Sequence, residues 1–296
     1  MGSLLRVNAI FREGYVSDAV IAVLLGLVEG FTEYLPISST GHLILFGEAL
    51  QFTGEKAKTF EVVIQLGAIL SVLFLYQGRF AGLFSGLKTS LQNPTDALRP
   101  GLVGLAGLFK LALTTAPAVL LGFLFRKEIK AHLFAPLPVA IAFAVGALLI
   151  LFVEHKELAP QRDEIESLTW KQSLIIGCVQ CLALWPGMSR SASAIIGGML
   201  SGLTRKAAAE FSFLVAVPIL GLAALHDLVE AVRVFTYEDL KLVEIGFVVS
   251  FFAALVSVKW FIGLVSRWSL KPFAYYRLAV AVFVIVMLSM RSATGE

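Results

Sequence analysis

Stretches apolar enough to lie in a lipid bilayer recur along the whole of this chain, and no other feature constrains its folding as strongly. A spanning helix needs about 20 mostly apolar residues rising about 1.5 Å each. Residues 102–125, 137–153, 207–225, 245–265 and 278–290 read as ordinary spans, and 61–75 is similar but begins on Glu61. Lys110 and Pro117 interrupt the first of these and are expected to face neighbouring helices or to kink it. With 58% hydrophobic residues, 15% charged residues and a mean hydropathy of +0.85, the chain reads as one integral membrane domain over 1–296, not as a soluble domain with an anchor.

The net charge of +3 does not point to nucleic acid as a partner. Residues 1–17, "MGSLLRVNAIFREGYVS", form an N-terminal extension with two arginines but neither a long apolar core nor a small-residue cleavage site. No removable signal is expected, and the first apolar stretch serves as its own insertion signal. The two cysteines, Cys178 and Cys181, stand in C-x-x-C spacing inside "LIIGCVQCLAL" with no second Cys or His pair nearby, so they read as small packing residues.

Two segments depart from the spanning pattern. Residues 19–35 and 173–185 each stop at a proline, Pro36 and Pro186, and each is followed by a serine-rich turn and a short apolar run. They read as broken helices, which lipid tolerates only where the freed backbone is buried in protein or lines a wet cavity. An ungapped offset of 151 superimposes them: Gly26 falls on Gly177, Val28 on Val179, Ser38 on Ser189, Gly47 on Gly198 and Phe60 on Phe211. This register predicts a duplicated unit, repeat one over about 18–153 and repeat two over about 170–290, with a site where the halves meet. Charge counting leaves the relative orientation open, because the basic stretches 76–100 and 266–277 look cytoplasmic but so does 126–132, on what simple counting makes the other face.

Polar residues concentrate at the breaks. Glu29 and Glu33, four apart, share a helix face, and two such charges in lipid require a divalent metal, a proton or an arginine between them. The alternative is one protonated acid, or a proton relay. Ser38, Ser39, Thr40 and Gly41 precede a short helix and can form an anion site, or a plain N-cap. His42, three residues beyond Ser39, supplies a general base or acid within one turn. The second break offers Ser189, Arg190 and Ser191; the guanidinium suits a phosphate, and a salt bridge to Glu29 or Glu33 is the blander reading. Together these predict a site for a phosphorylated lipid head, with Ser39 or a water as nucleophile, a metal on the phosphate oxygens, Arg190 on the developing charge and His42 moving the proton. The rival is a transporter or lipid translocase, since broken helices meeting between repeats also describe secondary transporters.

The blocks "GLVEGFTEYLPISSTGH", "KTFEVVIQLGAILSV", "GCVQCLALWPGMSRSAS", "EFSFLVAVP" and "PFAYYR" resemble, in order and over nearly the whole chain from about Asp18, those of the undecaprenyl-diphosphate phosphatase or bacitracin-resistance family of bacterial inner membranes. The resemblance implies an all-α polytopic integral membrane protein with two inverted repeats, each containing a re-entrant broken helix, and a site facing the periplasm. It implies hydrolysis of undecaprenyl diphosphate, a polyprenyl diphosphate lipid, with a Mg²⁺ or Ca²⁺ ion at Glu29 and Glu33. Ser39 would be the nucleophile, His42 the base, Glu33 a second catalytic group and Arg190 the phosphate clamp, with Ser38, Thr40, Gly41, Ser189 and Ser191 around the substrate. Homo-oligomerisation stays open. One departure stands out: Ala194 occupies the closing Thr position of the second block, with Ser193 beside it as a partial substitute.

Overall fold

A computed structural model describes residues 17–85, 87, 95, 98, 101–156, 164–231 and 237–294. The N-terminal extension up to residue 16 and most of the basic stretch 86–100 lie outside the described residues. Those described form twelve α-helices and no strand: α1 (Asp18–Thr32), α2 (Ser39–Ala49), α3 (Glu55–Leu75), α4 (Gln77–Phe84), α5 (Gly104–Leu124), α6 (Arg126–Leu133), α7 (Pro136–His155), α8 (Trp170–Gln180), α9 (Arg190–Leu200), α10 (Arg205–Ala231), α11 (Tyr237–Val265) and α12 (Lys271–Thr294). Six of them, α3, α5, α7, α10, α11 and α12, are long and apolar enough to cross a membrane, so the chain is a multi-pass membrane protein. Each expected span is present. Several begin earlier than their apolar runs, α3 at Glu55 and α12 at Lys271, because hydropathy marks the apolar part of a helix and the backbone carries on through polar turns.

Glycines set the packing of the broken helices. A Cβ on Gly26 would lie 2.7 Å from the Gly246 carbonyl and one on Gly30 2.5 Å from the Ser250 carbonyl, so only a side-chain-free stripe lets α1 press against α11. Gly177, the residue matched to Gly26, does the same for α8 against α5, where a Cβ would meet the Leu113 and Thr114 carbonyls at 2.8 Å. Each broken helix therefore leans on a long helix of the other unit, while α3 pairs with α10 and α7 with α12.

Two cations tie the bundle together, a buried lysine that faces its neighbours as expected and a partly exposed arginine. Lys110, inside α5, turns its Nζ to the Gly101 carbonyl at 2.7 Å. Arg205 binds Glu154 through Nε and Nη2 at 2.7 and 2.6 Å, and Glu154 also accepts the Leu270 N–H at 3.0 Å, tying the ends of α7, α10 and α12 together. Of the cysteines, Cys181 donates to the Gly177 carbonyl as a packing thiol, whereas Cys178 is exposed on the outside of α8.

Candidate active site

Both breaks are built on one backbone device. Both helices stop short of their prolines, α1 at Thr32 and α8 at Gln180 with a 3-10 turn over Cys181–Leu184 following it, and the chain then reverses through Ser38 at φ 72°, ψ 97° and Ser189 at φ 72°, ψ 117°. A positive φ on a residue with a Cβ costs roughly 1–3 kcal/mol and persists only where the surroundings enforce it. Here the serine hydroxyls repay part of it as N-caps, Ser38 accepting from the Gly41 N–H at 3.3 Å and Ser189 from the Ala192 N–H at 3.1 Å. The capping alternative offered for the first break thus holds for Ser38, Ser189 caps in the same way, and α2 and α9 start at Ser39 and Arg190.

Three kinds of contact bring the breaks together. Ser191 donates to the Tyr34 carbonyl at 2.7 Å and Ser189 to the Leu35 carbonyl at 3.5 Å. Gly41 fits between the Phe143 ring and Gly187, where a Cβ would lie 2.6 and 3.3 Å away; its closeness serves the packing of one break on the other. The third contact is Arg277. Its guanidinium, wholly buried, donates to Pro36 O (3.1 Å) in the first break, to Gly187 O and Met188 O (both 2.9 Å) in the second, and to Ala142 O (3.1 Å) and Phe143 O (3.2 Å) on α7. All five donors are used on carbonyls. Counted with the basic loop 266–277 in the sequence, Arg277 is instead a staple inside the protein.

At the junction lies a cavity of about 240 Å³ lined by Glu33, Ser38, Ser39, Thr40, Ser189 and Arg190 among others. Glu33 is its hub. One carboxylate oxygen accepts the Ser39 hydroxyl, and the other accepts Arg190 Nη2 at 3.0 Å. Arg190 Nη1 donates to the Ser212 carbonyl and hydroxyl at 2.7 and 3.0 Å, which leaves Nε buried without a protein partner. The blander reading of Arg190 as a salt bridge therefore holds.

Both ring nitrogens of His42 are bonded to groups other than Ser39. Its Nδ1 lies 2.7 Å from the Ser38 carbonyl, which can only accept, so the proton is on Nδ1. In the neutral ring Nε2 then accepts from the Tyr276 hydroxyl at 2.8 Å, with the Tyr276 ring stacked on the imidazole. The group hydrogen-bonded to the Ser39 hydroxyl is Glu33. Ser191 is turned to the backbone of Tyr34, and Ser193 donates to the Ser189 carbonyl at 2.9 Å, so its hydroxyl does not replace in the cavity the one that Ala194 lacks.

Glu29 is wholly buried, and neither carboxylate oxygen has a hydrogen-bond partner of normal geometry, although the Ser39 hydroxyl lies beside it. Such an acid requires a proton or a cation, and this fits the metal expected there. The fit is partial: Glu33 has both oxygens committed, and among the described residues no cluster of three His, Cys, Asp or Glu can hold an ion. Mg²⁺ and Ca²⁺ take six or more oxygens, so a divalent ion at Glu29 would need oxygens from a ligand or water.

Sequence reasoning passed over Gln65 and Gln180 in the cavity wall, Ser212 behind Arg190, and Tyr276 and Arg277. A signal for Arg277 existed, since "PFAYYR" places an arginine beside a long apolar run with no acid near it.

The family model described as bacitracin resistance protein BacA matches residues 22–283. A protein named undecaprenyl-diphosphatase from Maridesulfovibrio salexigens is 51% identical over 270 residues, 90% of this chain and 98% of the relative. Proteins of the same name from Nitratidesulfovibrio vulgaris and Solidesulfovibrio magneticus are 51% and 50% identical, covering 93% and 90% of this chain and 100% and 97% of their own lengths.

Proposed function

The chain belongs to the bacitracin resistance protein BacA family, and from that premise we propose that it is an undecaprenyl-diphosphatase, hydrolysing undecaprenyl diphosphate to undecaprenyl phosphate and inorganic phosphate. The reaction recycles the carrier lipid of cell-wall synthesis and indirectly confers resistance to bacitracin. The observation that carries this reading is Glu33 joining the Ser39 hydroxyl to the Arg190 guanidinium at one cavity between two broken helices.

The terminal phosphate sits between Ser39 and Arg190, which both line the cavity, where the starts of α2 and α9 add partial positive charge. Glu33 takes the Ser39 proton as Oγ bonds to the terminal phosphorus. The bond from that phosphorus to the bridging oxygen breaks, and undecaprenyl phosphate leaves. Water then attacks the phosphoserine, releasing inorganic phosphate and restoring the hydroxyl. Arg190 holds the negative charge on the transferring group throughout. Glu29, with Glu33 beside it, would hold a Mg²⁺ or Ca²⁺ ion, whose chemistry when bound is to neutralise phosphate oxygens. His42, tied to Ser38 and Tyr276, orients the first turn of α2.

The site faces the periplasm from the inner membrane, and the two units are inverted. In support, three spans, α3, α5 and α7, separate the two broken pairs; where each pair enters and leaves by one face, an odd number of crossings turns one unit over against the other. The purified protein, given undecaprenyl diphosphate and Mg²⁺ or Ca²⁺, is expected to release phosphate and to yield a phosphorylated Ser39 peptide by rapid-quench mass spectrometry. Release by Ser39→Ala at the wild-type rate would remove Ser39 as nucleophile, and no release by wild type would remove the activity.

A further inference from the structure

We propose that the polyprenyl chain of the substrate leaves the cavity sideways into the bilayer between α5 and α10, through a mouth bordered by Ala118, Leu184, Leu220 and Ala223; this rests on the phosphatase reading above. The first argument is size. A cavity of about 240 Å³ falls below the roughly 300–1,000 Å³ of pockets that enclose a drug-sized ligand. It can hold a diphosphate and the start of a chain, so the rest of a long polyprenyl must pass through its wall.

The wall has one apolar side. Glu33, Ser39 and Arg190 form the polar end, while Ala118 of α5, Leu184 of the second break and Ile219, Leu220 and Ala223 of α10 form the other. A ligand with a charged head and a hydrocarbon tail matches that division.

The two units also treat equivalent helix pairs differently. By order within each unit, α10 against α5 corresponds to α3 against α11. The latter pair packs extensively and through glycines: a Cβ on Gly67 would meet the Phe247 carbonyl at 2.5 Å, and one on Gly246 the Phe60 ring at 2.5 Å. In contrast, α5 and α10 touch over a short stretch. No residue of α5 beyond Ala118 is buried, and on α10 the buried run 211–216 gives way to half-buried and then exposed positions, Ala224 excepted, through residue 225. Pro117 and Pro218 lie at the level where each helix loses its neighbours. Proline removes a backbone donor and lets a helix bend there. The pair closed in one unit is open in the other, beside the cavity.

Two measurements test this. The first compares kcat/KM for undecaprenyl diphosphate with that for geranyl diphosphate in Ala223→Trp, Leu220→Trp and wild type, with Leu148→Trp on the exposed side of α7 as a lipid-facing control. Plugging the mouth is expected to lower the long-to-short ratio by about tenfold or more, and Leu148→Trp to leave it unchanged; an unchanged ratio in both mouth variants overturns the proposal. The second cross-links wild-type protein with a polyprenyl diphosphate analogue carrying a photoreactive group near the head. Labelled peptides from α5 and α10 support the mouth, and labelling confined to α1, α3 or α11 overturns it. If wild type hydrolyses neither diphosphate while cross-links still map to α5 and α10, the catalytic reading falls and the lipid path stands.

Discussion

The breaks at Ser38 and Ser189 share a backbone and divide the chemistry. Both reverse the chain at φ 72°, both cap the following helix with a serine hydroxyl, and both give a carbonyl to Arg277. Their side chains differ at almost every matched position. Ser39 stands opposite Arg190 and His42 opposite Ser193, and buried Glu29 corresponds to the neutral amide Gln180. The first unit supplies acid, hydroxyl and imidazole, and the second supplies the cation. The two breaks thus present two helix starts to one cavity, with Ser39 and Arg190 brought to it from distant parts of the chain.

The largest effects should come from the pair that joins the walls. Arg190→Ala or Glu33→Gln is expected to lower kcat/KM by about a thousandfold or more, and each leaves a buried charge unpaired at a cost of roughly 3–5 kcal/mol. Thermal melts should therefore recover in Glu33→Gln/Arg190→Met while activity stays lost; recovery of turnover in the double variant would mean that the pair is structural only.

Next comes the contrast between hydroxyls. Ser39→Ala should lose about a hundredfold or more in kcat, whereas Ser191→Ala, whose hydroxyl is bound to Tyr34, should cost about 1 kcal/mol of stability and little kcat. Equal losses at both positions would erase the division of labour.

Arg277→Lys tests what the breaks share. Lysine brings three donors against five, so two or more carbonyls of the junction lose a partner. About a tenfold fall in kcat with little change in KM is expected, together with a lower melting temperature. A variant with wild-type kcat would show that the junction holds without its staple. Smallest of all, Ser38→Gly and Ser189→Gly each remove a cap but relieve a positive φ, and should shift stability by about 1 kcal/mol or less and by similar amounts. A large difference between them would mean that the two turns are not equivalent.

Much of the site was legible because its devices are local. A proline, a serine cap and a short apolar run identify each break within a dozen residues, and the matched positions of the breaks place them in one register. Hydropathy likewise located every span. Residues acting at long range stayed hidden: Arg277 reaches Pro36 across 241 positions, and Ser212 meets Arg190 from the third helix of its unit. His42 sits one turn from Ser39 in sequence, while its partner Tyr276 lies 234 positions away.

By itself, the amino-acid order determined that this chain is helical, that it lies in a membrane and that two interrupted helices carry acid, hydroxyl and guanidinium, because apolar length, proline and capping act over a few turns. Only the tertiary structure decided which groups meet. Glu33 rather than His42 holds the Ser39 hydroxyl, and α3 packs extensively on α11 while α5 and α10 touch over a short stretch. Those outcomes depend on how glycine stripes, a buried arginine and two mid-helix prolines let distant helices approach or part, and no local pattern encodes that distance.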